Sequence, residues 1–306
     1  GLEWTPMQSL RVRAMAQRAV RAPNIGEQFA PASFGLTEIR SDPCAGTAPV
    51  GNATLTAKCV AQGAPLAAIG LIASPAAQQA ASIGGGAVAL GVSLAPEEAD
   101  TYTFGLQFTP EALPGFIASV DYYDIKIKDA ISSIGVNNIL QFCADQKVFC
   151  DQIQREAGGR ISAIDNTTIN VGEARTRGID YELSYRTPVT WFGREDNASF
   201  RLLASRLISS TISPFNSPTV EQVGVGDRQD LSMTLTANYR AGPLTAAWST
   251  RWVSDAERNL TWVEGRDVAV NKIPSHHLSN LRLTYDLEAF GTDAAVFMAV
   301  SNLFDK

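Results

Sequence analysis

From Asp100 to Thr109 the side chains alternate strictly, with Tyr102, Phe104, Leu106 and Phe108 on one face and Thr101, Thr103, Gly105, Gln107 and Thr109 on the other. That is the period of a β-strand. After a turn carrying Pro110, Pro114 and Gly115 the alternation resumes, with Phe116, Ala118, Val120 and Tyr122 set against Ser119 and Asp121. One face of this hairpin is apolar. The other lacks the large apolar residues that a second packed layer would need. Lipid outside and water inside would account for such a sheet in a transmembrane barrel. A secreted or surface β-sandwich would instead turn the same apolar face into a protein core. Repetition along the chain separates the two.

The pattern repeats, and nine strands are expected. In the first, Leu10, Val12, Ala14 and Ala16 oppose Arg11, Arg13, Met15 and Gln17. Facing those arginines to lipid would cost roughly 2–4 kcal/mol each near the midplane, so they are placed inward. The hairpin above supplies two more strands. Ile179, Tyr181, Leu183 and Tyr185 oppose Gly178, Asp180, Glu182 and Ser184, and Phe200, Leu202 and Ala204 oppose Arg201 and Ser205. Leu231 to Tyr239 alternates with Ser232 to Asn238, and Leu244, Ala246 and Trp248 oppose Thr245, Ser249 and Arg251. Leu281, Leu283, Tyr285 and Leu287 oppose Asn280, Arg282 and Thr284, and a ninth strand runs from about Ala294 to Leu303. Connections are short after residues 109, 186, 240 and 287 and long after 21, 131, 208 and 253, which puts turns on one rim and long loops on the other. After Tyr122 the apolar parity moves to Tyr123, Ile125 and Ile127, so the strand either bulges there or leaves the membrane. Trp191, Phe192, Trp248 and Trp252 near strand ends suit the two headgroup levels.

Residues 59–96 carry no charge. Pro65, Pro75, Gln78, Gln79 and Gly84 to Gly86 interrupt every window of about 18 apolar residues, so a small-residue loop is expected there and not a helix across the bilayer. The three glycines lack the Lys-Ser/Thr of a phosphate loop and read as a flexible turn. The net charge of −6 argues against nucleic acid as the main partner.

Arg18 and the stretch Arg21, Ala22, Pro23, Asn24, Ile25, Gly26, Glu27, Gln28 and Phe29 resemble the "FRAPN, then E and F" signature of TonB-dependent outer-membrane receptors, with Val20 where that family often has Phe. Leu94, Pro96 and Glu97 are similar to its "L-x-PE" segment, the Gly178–Glu182 strand to its "G-I-D-x-E", and Val300, Asn302, Leu303, Phe304, Asp305 and Lys306 to its closing "V-x-N-L-F-D-K". The resemblance covers essentially all of residues 1–306. It implies an all-β, antiparallel transmembrane β-barrel of roughly 22 strands, of which about nine are here, with long external loops and short periplasmic turns. It also implies that this is the C-terminal part of the barrel, lacking a plug domain, the first barrel half and the last strand. The implied function is active uptake of a scarce nutrient, an oligosaccharide or an iron-siderophore, across the bacterial outer membrane. The implied partners are outer-membrane lipid, the TonB energy-coupling complex and the ligand, with no catalysis and no cofactor.

Within that frame the candidate ligand-guiding residues are the lumen arginines Arg11, Arg13, Arg201, Arg251 and Arg282. Their alternative role is to solvate the lumen and hold a plug through salt bridges. Cys44 with Cys59 and Cys143 with Cys150 are paired by proximity, each within one external loop, where closure stabilises by about 2.5–3 kcal/mol. Neither spacing is that of a zinc pair, and no metal site is expected. Ser275, His276 and His277 have no nucleophile elbow or acid partner at a diagnostic spacing, so an outer-membrane hydrolase is the third reading.

Overall fold

The computed structural model describes all residues except 40–41, 74–77, 147, 192–195, 215–218, 260–261, 266–267, 290–291 and 305–306. Ten long strands lie side by side in chain order: β1 (Leu2–Met7), β2 (Leu10–Arg21), β3 (Glu97–Phe108), β4 (Phe116–Lys128), β5 (Gly172–Val189), β6 (Asp196–Pro214), β7 (Leu231–Ala241), β8 (Leu244–Val253), β9 (His276–Ala289) and β10 (Thr292–Val300). Each is antiparallel to its neighbour. A short strand, Val220–Glu221, adds to β6. The nine expected strands are β2 to β10. The hairpin strand β1 was not anticipated, because Pro6 cuts its alternation short.

The pairing registers align the apolar parity from strand to strand. Leu106 stands opposite Val120, Val120 opposite Tyr181, Tyr181 opposite Ala204 and Ala204 opposite Met233. The face they make stays open: Phe104, Leu106, Phe108 and Val120 are 39–47% exposed. A sandwich would bury them, and among the described residues no second sheet packs on this face. No described helix is long and apolar enough to cross a membrane.

Past Tyr122, β4 holds its register against both β3 and β5 without a shift, so the parity change is not a bulge. The bulge is one strand over, between Arg177 and Gly178.

The long loops after β2 and β4 are ordered, and they hold every buried isoleucine, leucine and valine among the described residues. Ser33–Ile39 pairs with Gln78–Gly84 from the first loop; Gln78–Gly84 pairs in parallel with Ile161–Asp165 from the second, which pairs with Ile153–Arg155. This four-stranded sheet packs with helix α3 (Val136–Gln146) around Ile39, Ile139, Leu140, Ile153, Ile161 and Ile164. A smaller core gathers Cys44, Cys59, Ala64, Ala68 and Ile72 beside helix α2 (Ala53–Ala61). The expected structureless loop is therefore half of a small folded cap. Gly86, read as flexible, is closely packed: its N–H donates to the Ala30 carbonyl at 2.9 Å, and a Cβ there would lie 2.6 Å from the Gln28 backbone.

Candidate functional site: rim, inner wall and cap

At the rim, Arg21 ends β2 and Pro23 and Asn24 open a short helix, α1 (Ile25–Phe29). The Asn24 side chain accepts the Glu27 N–H at 2.8 Å while the Glu27 carboxylate accepts the Asn24 N–H at 2.8 Å, a reciprocal capping box. The Arg21 guanidinium donates twice to that same carboxylate, at 2.9 Å each, and through Nε to Glu97 at 2.6 Å. Glu97 in turn accepts the Ile131 N–H at 2.6 Å, which ties in the second loop. The Arg21 hydrogen bonds hold the Glu27 carboxyl below the usual carboxylate range. Arg21, Asn24, Glu27 and Glu97, brought together from two motif segments, thus form a latch at the cap's base. Phe29 and Pro96 are exposed beside it. The closing motif lies at the sheet's opposite edge, where Asn302 N–H donates to Asn280 at 3.1 Å, Leu303 N–H to the Ser279 carbonyl at 2.7 Å, and Phe304 leans on His277. Asp305 and Lys306 fall outside the described residues, as does Phe192, whereas Trp191 stacks on Tyr239 with ring centroids 5.3 Å apart.

The five lumen arginines are spread over the polar face and do not converge. Arg13 reaches across Gly105 of β3 and grips Asp121 of β4 with two nitrogens, at 2.7 and 3.0 Å. Only a glycine leaves room for that crossing, since a Cβ at position 105 would lie 2.7 Å from Arg13 Nε. Arg201 donates to Glu182 at 2.9 Å and Arg11 pairs with Glu3 at 3.4 Å. Arg282 lies over the Phe297 ring at 4.4 Å. Arg251 has no hydrogen bond or ion pair among the described residues. A shallow recess of about 340 Å³ in this wall is lined by Ser119, Asp121, Asp180, Glu182, Ser205 and Thr234 together with the apolar Leu203, Ala204 and Met233. Asp180 accepts the Ser205 hydroxyl at 2.6 Å.

In the cap, Cys44 is bonded to Cys59 and Cys143 to Cys150, as expected. Unanticipated is a buried ion pair joining the two loops. Arg155 donates to Asp42 at 2.9 and 3.1 Å, to Gln62 at 2.7 Å and to the Gly159 carbonyl at 2.8 Å, and both charged side chains are at most 1% exposed. Nothing local in the sequence marks partners 113 positions apart.

Asp165, 8% exposed at the end of its strand, has its carboxyl raised above the usual range by burial. The ionised form is the disfavoured one, so at neutral pH its charge destabilises the folded cap. That cost is relieved as pH falls through the raised value and is gone below the ordinary 3.8. Asp165→Asn is expected to slow amide exchange of residues 161–165 at neutral pH and to flatten its stability dependence between neutral pH and 3.8. Unchanged protection in the variant would contradict this.

A family model described as TonB dependent receptor-like, beta-barrel matches residues 1–303. No curated protein sequence matches the chain. Among solved structures, a point variant of the ferric enterobactin receptor PfeA from Pseudomonas aeruginosa, in complex with enterobactin, is 14% identical with a TM-score of 0.56, over 99% of this chain and 34% of that one. The siderophore receptor PirA from Acinetobacter baumannii is 13% identical with a TM-score of 0.55, over 99% and 36%. The copper transporter OprC is 17% identical with a TM-score of 0.51, over 99% and 32%. The chain thus spans about a third of these structures' length, and at such identities the likeness shows the fold. With the family model covering nearly all of one continuous sheet that is apolar on one face and polar on the other, the chain belongs to the TonB-dependent receptor β-barrel family.

Proposed function

We propose that the whole protein is an outer-membrane receptor that takes up a scarce nutrient, with TonB supplying the driving force through a part of the protein outside this chain. The observation that carries this is a single sheet whose open face is apolar and whose other face is a wall of hydroxyls and paired charges, with short turns at one rim and a disulfide-stapled cap at the other. The rim latch fixes the cap's base to β2 and β3.

For the cargo, an uncharged, hydroxyl-rich molecule of oligosaccharide type is the better fit. Three of the five lumen arginines already hold carboxylates and a fourth lies over an aromatic ring, which leaves little free positive charge for an anionic chelate. Serine, threonine and carboxylate side chains in the wall recess can exchange hydrogen bonds with sugar hydroxyls. Ferric chelates are the second class, since solved siderophore receptors share the fold.

Uptake of labelled oligosaccharides and ferric siderophores should be compared in cells with and without the full-length gene and a working TonB system. Loss of oligosaccharide uptake in both deletions is expected. Loss of ferric siderophore uptake alone would replace the cargo assignment, and unchanged uptake of both classes would remove the receptor reading.

A further inference from the structure

The cap sheet ends on an open edge. Ser33–Ile39 pairs with Gln78–Gly84 along its inner side without a shift of register, and on its outer side no backbone group has a partner among the described residues. Long free edges invite another strand, and proteins blunt them with lysine, proline or a bulge. This edge has none of the three. Its exposed face is apolar as well: Phe34 and Leu36, on the side turned away from Ile39 and its core, are 77% and 80% exposed and stand opposite the half-buried Ile83 and Ala81. An incoming strand would find main-chain partners along its length and an apolar row at every second position.

The wall beneath shows which chain comes past. β1 is short: Leu2 stands opposite Ala14, and from Met15 to Arg21 β2 is paired on its β3 side alone. Lipid cannot satisfy the backbone groups left open there. The Thr109 N–H donates to the Ser9 carbonyl at 2.8 Å, which puts the β1–β2 turn on the short-turn rim, so β1 is entered from the cap side. The stretch that leads into Leu2 then runs along Met15–Arg21 and arrives from the foot of the cap. In the cap sheet, as in the wall, the first loop's strands come before the second's, so the open edge of Ser33–Ile39 and the open flank of β2 lie at the same end of the order.

We propose that Ser33–Ile39 is the seat of the external segment of the same protein that leads into β1, taken up as a fifth strand of the cap sheet with apolar side chains at alternate positions laid over Phe34 and Leu36. This occupant rests on the reading of the sheet as part of a larger membrane barrel. The solved siderophore receptors that share the fold are about three times longer, which leaves chain to supply it. The added strand covers the cap's apolar edge and ties a third loop into the cap.

Full-length protein in its native outer membrane tests this by amide exchange and by cross-linking. An antiparallel edge strand holds only alternate amides in hydrogen bonds, so about half of the amides of residues 33–39 are protected if the edge is free and essentially all if it is filled. Full protection is expected in the wild type, falling to about half in the Phe34→Lys/Leu36→Lys double variant while β2 to β9 are unchanged. With Phe34→p-benzoylphenylalanine, irradiation is expected to join position 34 to residues immediately ahead of Leu2 in the same chain. Half protection in the wild type overturns the proposal, and that result needs no variant. Cross-links to a second copy, to a separate protein or to a different loop of the same chain overturn the choice of occupant. Half protection in wild type recovered with the membrane sinks this inference alone, whereas recovery in the soluble fraction sinks the barrel reading with it.

Discussion

Asp42→Ala is expected to cost the cap about 3–5 kcal/mol, because it strands the Arg155 guanidinium in a site at most 1% exposed with one carboxylate gone. Asp42 also accepts the Cys44 N–H at 3.0 Å, so the first loop's disulfide lobe loses an anchor at the same time. The Gln62 and Gly159 oxygens that remain are neutral acceptors and do not replace the charge. Asp42→Leu combined with Arg155→Met should be much milder than either single change, since a packed apolar pair of similar volume removes both desolvation costs. Hydrogen exchange would read the two outcomes, with protection lost in residues 153–165 while β2 to β9 stay protected. A loss of only about 1 kcal/mol, as for an exposed pair, would mean the cap is held by its cores and disulfides alone.

Gly86→Val should rank next, at about 1–3 kcal/mol or somewhat more. The backbone of position 86 is ordinary, so the cost is purely steric. The added side chain meets the Gln28 carbonyl group at 2.6 Å and the Ala30 nitrogen at 2.7 Å, and main chain cannot swing aside as a side chain would. Helix α1 must move, and with it the Asn24–Glu27 capping box and the carboxylate that Arg21 holds. Loss of exchange protection at the Glu27 and Ala30 amides, together with weaker ligand capture in cells, is the expected pair of results. Gly35→Val, with no atom within 4 Å of its Cβ, serves as the control. Equal behaviour of the two variants would show that the contact at Gly86 yields without consequence.

The strands were legible because each one faces two solvents, and that writes a period of two into the sequence; β2 and β4 could be read residue by residue. The cap was not. Its central pairing, Ala81 with Ala163 and Ile83 with Asp165, is parallel and joins different loops, and the first loop is built of alanine and glycine with little periodicity. Its disulfides were readable from proximity, whereas Asp42 and Arg155 carry no local mark. The motif residues Arg21, Asn24, Glu27 and Glu97 were recognisable as a pattern, but only their geometry shows them as a brace for the rim. Of the arginines, the sequence drew attention to those on the polar parity.

The parallel pairing of Gln78–Gly84 with Ile161–Asp165 also bears on how this cap can change over generations. Loops of independent hairpins can be exchanged one at a time, each bringing its own recognition surface. Here a substitute for residues 22–96 would meet a partner strand cut for another register, and Arg155 would meet no acid. The two loops form one heritable module, and a new cap surface would have to arrive by trading both at once or by altering side chains within a cap whose backbone stays as it is.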